Sequence, residues 1–170
     1  MRFEPGEEGV WRLVPEGLQQ SDGAVLWQRY SREQVPGLFG LEFAGPTLQQ
    51  GFLVKDQHMI LFVTLDKSDK AAEHKYGDRF LSPTEFEWQS QNRTRQGSKH
   101  GEAIRYHEEQ GIAVHLFVRP KSKERGKTVP FTYCGDLEFV RWEGEKPITV
   151  WWRMKKAVPE AYRDLLVVPT

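Results

Sequence analysis

Short runs of apolar, β-branched and aromatic residues organise this chain, and glycines, prolines and charged clusters interrupt them every several positions. Such runs predict strands, because alternate side chains of an extended segment share a face and branched or aromatic groups fill a pleated surface well. They fall at 24–30, 50–55, 58–65, 86–90, 113–119, 131–133, 137–142 and 148–154. Two of them, HMILFVTL and AVHLFVR, are too apolar to keep one face in water, so both are expected as central strands buried on two sides. In ITVWWRM the residues alternate, with Ile148, Val150, Trp152 and Met154 on one side and Thr149, Trp151 and Arg153 on the other. Gly135-Asp136 and Glu143-Gly144 are expected to turn the chain before and after 137–142.

Helical signals are fewer. At Leu81-Ser82-Pro83-Thr84-Glu85-Phe86, Ser82 can cap free amides, Pro83 suits a first helical position and Glu85 completes a capping box. Leu81 and Phe86 hold the two positions of a hydrophobic staple, so a short helix is predicted there. Ser31-Arg32-Glu33-Gln34 is a second capping-box match, which Pro36 should limit to about one turn. Pro159 opens a predicted terminal helix over 158–166. Together these elements predict an α+β, β-rich domain built on a curved sheet or barrel with a few short helices. Residues 1–22, acidic at the start and broken by Pro5 and Gly6, read as an N-terminal arm and not as a signal peptide, and 23–170 reads as one domain.

Composition narrows the function. The longest apolar run is strand-sized, which leaves no membrane span, and the single cysteine, Cys134, excludes an intrachain disulfide or a cysteine zinc cluster. A reducing, cytoplasmic setting fits both. The 24 Lys and Arg balance the 24 Asp and Glu, which at first argues against a nucleic-acid partner. Their distribution reverses that reading. Residues 1–50 hold four arginines against seven carboxylates, whereas 91–127 hold nine Lys and Arg against four carboxylates, with three histidines among them. Segregation of this kind is the footprint of a face built for phosphates, although solvated loops also collect such residues.

Two segments carry candidate chemistry. In KYGDRFLSPTEFEWQSQNRTR (75–95), aromatic rings, amides and arginines follow one another. Rings can stack on a base, amides can meet a Watson–Crick edge, a carboxylate can accept from the cytosine amine, and arginines can hold phosphates. Tyr76, Asp78, Phe86, Trp88, Gln89 and Ser90 are the expected base pocket, and Gln91, Asn92, Arg93, Arg95, Lys99 and His100 the expected DNA contacts beside it. The competing structural reading makes Phe86 and Trp88 core aromatics and 89–92 a polar loop. The second segment, RPKSKERGKTVPFT (119–132), reads as a long flexible hairpin loop whose Arg119, Lys121, Lys123, Arg125 and Lys127 could lie along a groove.

The order LFVTLDKSDK (61–70), YGDRFLSPTEFEWQSQNRT (76–94), HLFVRPKSK (115–123), PFTYCG (130–135) and KPITVWWRMKKAVP (146–159) resembles a known module, from about Trp27 to Pro159. It is similar to the C-terminal domain of unknown function of SauUSI-like, modification-dependent restriction helicases, which also carry a phospholipase-D-type nuclease. The resemblance implies an SRA-like reader of methylated or hydroxymethylated cytosine, with a curved, PUA-like β-barrel that takes the target base out of the duplex. It also implies a partner nuclease or helicase, in trans or in a longer chain, because neither a Walker-type phosphate loop nor an H-x-K nuclease pattern occurs here.

The expected function is therefore a non-catalytic, cofactor-free and metal-free sensor of duplex DNA carrying a modified base, within a restriction or phage-defence system. Two other classes compete with it. Glu73 and Lys75 form half of a carboxylate-and-lysine nuclease site, with Asp56, Asp66 or Asp69 as partners. A protein-interaction module would use exposed tryptophans among Trp11, Trp27, Trp142, Trp151 and Trp152, of which Trp151 is the one expected to face outward. His100, His107 and His115 are spaced wrongly for a compact zinc site, and His115, inside an apolar strand, is expected as a satisfied core histidine.

Overall fold

The computed structural model describes residues 2–5, 11–14, 23–66 and 77–169, the first two spans by their backbone alone. Within the segment expected as an arm, β1 (Arg2–Pro5) and β2 (Trp11–Val14) pair as an antiparallel hairpin. The main sheet has eight strands. They are β3 (Arg29–Tyr30), β4 (Phe52–Lys55), β5 (His58–Asp66), β6 (Arg79–Ser82), β7 (Glu85–Gln89), β8 (Ala113–Lys121), β11 (Phe131–Glu143) and β12 (Thr149–Met154). A small hairpin, β9 (Lys123–Glu124) and β10 (Lys127–Thr128), stands apart. Four short helices complete the chain: α1 (Val35–Leu38), α2 (Gly45–Leu48), α3 (Lys99–Arg105) and α4 (Glu160–Arg163).

β5 and β8 lie side by side and parallel in the middle of the order β4-β5-β8-β11-β12-β7-β6. Their unbroken apolar runs serve two cores. Met59, Leu61 and Val63 join Val114, Leu116 and Val118 on the concave side, with Phe80, Phe86, Trp88 and Trp152. Ile60, Phe62 and Phe117 face the other way, where α1 and the segment around Phe39 and Leu41 cover them. Double-sided burial was legible in the sequence because both faces of each run are largely apolar.

The sheet curls until its edges approach. The ring of Phe52 on β4 lies 5.8 Å from Trp88 on β7, and Gln91 Nε2 donates to Gln50 Oε1 at 3.4 Å. No ladder joins β4 to β6, so the curved sheet forms and a closed barrel does not. Much of the bending lies in β11. Its register shifts between Tyr133 and Gly135, where Gly135 has φ +91°, and again between Phe139 and Arg141. Gly135-Asp136 is thus a bulge inside one long strand and not the turn its composition predicts; the bulge adds twist while β11 changes partners.

Three other expectations are corrected. Residues 81–86 form no helix. They make the two-residue turn between β6 and β7, in which Ser82 Oγ accepts the Thr84 N–H at 3.2 Å. The local cap signals lose to cross-strand packing, since Phe80 and Phe86 pair in register with rings 4.8 Å apart and β7 gains a full ladder with β12. The strand expected at 24–30 shrinks to Arg29–Tyr30, because Gln28 N–H donates to Val25 O at 3.2 Å and closes a turn in which Trp27 has φ 67°. Residues 119–132 are not one loose loop, as described below. The Ser31–Gln34 box does close, with Ser31 N–H donating to Gln34 Oε1 at 2.8 Å and Gln34 N–H to Ser31 Oγ at 3.3 Å. α3 was missed by the sequence reading. Ser98 caps it by accepting the Gly101 N–H at 3.1 Å, and a Cβ on Gly101 would meet Arg95 O at 2.1 Å. Among the described residues no helix is long and apolar enough to cross a membrane.

Candidate nucleic-acid interface

β8 runs past its buried centre to Lys121, and the chain then folds back through β9 and β10. The turn is Arg125-Gly126, with φ of 53° and 77°, the pair of left-handed residues that matches the twist of a tight hairpin. Val129 N–H donates to Ser122 O at 2.9 Å and closes the base of the hairpin. Lys121, Lys123, Arg125 and Lys127 are all exposed on it. Among the described residues their one ion pair joins Lys121 to Glu124 at 3.7 Å, with both side chains well exposed, where such pairs contribute little.

Two concavities flank this hairpin, each of about 510 Å³, and they share Thr128, Val129 and Pro130. Arg29, Arg125 and Lys127 line one with Glu124, while Arg32 and Arg119 line the other with Glu33. Among the described residues, five cations and two carboxylates line the two concavities. Arg32 is half-buried. Its NH1 donates to Gln50 O at 2.9 Å and Leu48 O at 3.3 Å, and its guanidinium lies 4.6 Å from the centre of the Phe62 ring. Arg119 donates from Nε to Thr64 Oγ1 at 2.9 Å and from NH1 to Val129 O at 3.1 Å. Both guanidinium groups sit over Phe131, at 5.2 Å and 4.3 Å. Burial, and then the charge of Arg119, pulls the Arg32 guanidinium down to about 10, so it remains a cation at neutral pH.

The expected base pocket does not survive in its original place. Phe86 and Trp88 are 0 % and 4 % exposed, inside the concave core, with no face open to a base. The alternation of β7 against β12 turns both inward, and the structural reading of these two rings holds. Ser90 is also buried, its Oγ accepting the Ile148 N–H at 2.8 Å and donating to Gln91 O at 3.1 Å. Gln89 takes the Gly77 N–H at 3.0 Å, and Asp78 Oδ1 takes the Gln89 N–H at 2.8 Å, which ties β7 to the start of β6. Tyr76, Glu73, Lys75 and Asp69 lie outside the described residues. Asp56 sits at the turn between β4 and β5 and Asp66 ends β5, so these two candidate nuclease partners stand at opposite ends of that strand.

Asp78 nevertheless lines a separate cavity of about 230 Å³, with Asp66, Arg79, Leu65, Phe80, Pro120 and Leu166. It opens between the ends of β5 and β6, one residue from Lys121 on β8. Gln91, Asn92, Arg93 and Arg95 occupy the loop after β7, which Lys146 N–H to Thr94 O at 2.9 Å and Gln96 N–H to Glu145 Oε1 at 3.1 Å fasten to the β11–β12 turn. Arg93, Arg95, Lys99 and His100 are exposed there. The ring of His100 packs 5.1 Å from Phe52, and burial, then Lys99, lowers its proton affinity.

Two other described histidines, His107 and His115, are internal. His115 is 0 % exposed, with Nδ1 3.1 Å from Asp136 Oδ1 and 3.3 Å from Tyr133 Oη, Nε2 3.0 Å from His58 Nδ1, and Phe39 stacked on it at 4.0 Å. It is the satisfied core histidine that its apolar strand implies. His107 accepts the Phe139 N–H at Nε2 (3.2 Å), so Nδ1 donates to Ile112 O (3.0 Å). No group of three or more His, Cys, Asp or Glu among the described residues could hold a metal ion. Trp151 faces outward as expected, but Arg141 covers its ring at 3.7 Å and its indole N–H donates to Glu87 at 3.0 Å. Sequence reasoning missed Arg29 and Arg32. Nothing local sets them apart, and their role in the concavities appears only when β3, α1 and the end of β8 meet.

No curated protein matches the chain. A solved structure of the DNA modification-dependent restriction endonuclease AspBHI is similar to it at 13% identity with a TM-score of 0.41, over 72% of this chain and 39% of that one. A family model, the domain of unknown function DUF3427, matches residues 25–165, which takes in the main sheet and both concavities. The chain therefore belongs to the DUF3427 family.

Proposed function

We propose that this domain binds duplex DNA and inspects it for a modified cytosine, 5-methyl or 5-hydroxymethyl, drawn out of the helix. In this reading it is the sensor module of a modification-dependent restriction or defence system, and a nuclease or helicase in trans or in a longer chain does the cutting. The observation that carries the DNA half is the exposed basic hairpin flanked by two contiguous concavities that five cations and two carboxylates line among the described residues. A surface of this charge binds a polyanion by releasing counterions, and the hairpin's ordered turn gives its cations fixed positions.

The base-reading half moves from Phe86 and Trp88 to the cavity beside Lys121. At about 230 Å³ it has room for one base. Asp66 and Asp78 line it beside Arg79, and a carboxylate oxygen can accept from the exocyclic amine of cytosine. Leu65, Phe80 and Leu166 offer apolar contact to a 5-substituent. One methyl group in such a wall distinguishes substrates by about 10-fold or somewhat more. The restriction setting rests on the resemblance of the segments between 61 and 159.

The test is a binding panel of matched duplexes with plain, 5-methyl- and 5-hydroxymethylcytosine, each titrated at several salt concentrations. Affinity should fall steeply with salt for every duplex and be about tenfold higher for a modified one. Equal affinity across the panel would remove the base-reading half, and binding insensitive to salt would remove the DNA half.

A further inference from the structure

We infer that Val167 is the lip of the base cavity, an apolar side chain held at its mouth to meet the 5-substituent of an inserted cytosine. The inference rests on the base-reading half of the proposal above and deepens it by naming a residue that sets the preference for a modified base. It starts from a turn that suits Val167 badly. After α4, Val168 N–H donates to Arg163 O at 2.9 Å and Val167 N–H to Asp164 O at 3.3 Å, the bond pair of a helix-ending turn. Such a turn puts Val167 in the left-handed region, with φ of 55°. Glycine or asparagine usually holds that position, because a Cβ there crowds the backbone and a second branch on it crowds more. Leu166 and Val168, 0 % and 8 % exposed, bury on either side and fix the turn. Val167 itself is 69 % exposed, the most of any large hydrophobic residue among those described. It brings the fold backbone strain and little burial in return, so its side chain serves something other than folding.

The cavity of about 230 Å³ supplies that other role. Val167 lines it together with Leu65, Phe80, Pro120 and Leu166. Phe80 and Leu166 are buried members of the concave core, and the core accounts for them. A residue that lines a cavity while most of it is in water stands at the mouth. Its methyl groups leave water only when a ligand enters, so their burial favours binding and not folding. A β-branched side chain is also stiff about χ1, and little freedom is lost when it meets a ligand. Cytosine presents polar atoms along its Watson–Crick edge, whereas position 5 lies on its apolar edge. An apolar lip gains contact from a substituent at that position and less from a bare C–H.

Wild type, Val167→Gly, Val167→Asn and Val167→Leu are compared by thermal melting and by binding to matched duplexes with one 5-methylcytosine or none. Glycine and asparagine fit the left-handed turn and remove the apolar side chain, while leucine keeps it. The glycine and asparagine variants should melt about 2–4 °C higher than wild type, as relief of a strained residue in a chain of this size implies. Preference for the methylated duplex, about tenfold in wild type, should fall to about twofold in both and stay within about twofold of wild type in the leucine variant. Lower melting temperatures in both the glycine and asparagine variants would make Val167 part of the core and overturn the lip. A tenfold preference that survives in those two variants overturns it as well. So does equal loss in the leucine variant, since apolar contact would then not be what is read. Should wild type bind both duplexes alike, the base-reading half itself fails and the lip falls with it. The salt dependence of that same binding still judges the DNA half separately.

Discussion

An aromatic ring can receive a nucleobase only where a face of it is open, and Trp88 has none. Its ring is wedged between Phe52 at 5.8 Å and Trp152 at 6.4 Å, on the concave side of the sheet. Its contribution is burial, which places the effect of its loss in stability. Trp88→Ala should lower the unfolding free energy by about 3–5 kcal/mol, read from the shift in urea midpoint. A variant as stable as wild type would show that the ring does not sit in the core. Arg32 is the opposite case. It carries no motif of its own, yet its carbonyl anchors and the ring of Phe62 make it one of the most constrained cations on the surface.

At the level of elements, the β9–β10 hairpin turns a basic stretch of sequence into an ordered one. Lys123 stands opposite Thr128, and Lys127 opposite Glu124. Their backbones are fixed by the ladder and the left-handed turn, while their ammonium groups stay in water. Cations held this way contact phosphates and carry no sequence information. Removing both, with Lys123→Ala and Lys127→Ala, should weaken binding to plain and modified duplexes by the same factor. It should also reduce the slope of log affinity against log salt by about 2. A loss confined to the modified duplex would assign these lysines to base reading instead.

Across the whole molecule, one partly buried network ties strands together. Asp136 on β11 meets His115 on β8 at 3.1 Å and Lys155, just after β12, at 3.8 Å. Burial works to raise the Asp136 carboxyl, but the hydrogen bond and charge of His115, with Lys155 and Tyr133, outweigh it and hold it below the ordinary carboxylate range. A carboxyl depressed in the folded state stabilises the fold above its unfolded value of about 3.9 and loses that contribution as pH falls through the folded value. Wild type should therefore lose stability below about pH 4, and Asp136→Asn should be less stable at neutral pH with a flatter acid limb. Thermal melts between neutral and acid pH check this, and equal slopes for the two proteins would dissociate Asp136 from the acid transition.

The sequence by itself determined the β-rich class, the double-sided burial of β5 and β8, the inward Trp152 and outward Trp151, and the clustering of positive charge after Gln91. These follow from periodicity and composition, which every residue carries locally. It also supplied the capping box at Ser31, whose bonds are made within four residues. The tertiary structure decided what depends on remote partners. The cap signals at Ser82 became a hairpin because Phe80 and Phe86 bury each other and β12 waits alongside. Gly135 became a bulge because β11 must pass from β8 to β12, and Arg32 joined Arg119 over Phe131 because three distant segments converge. At Ser82 and Gly135 burial and pairing across the sheet outweighed a local preference of about 1 kcal/mol, and no local pattern records which partner will arrive.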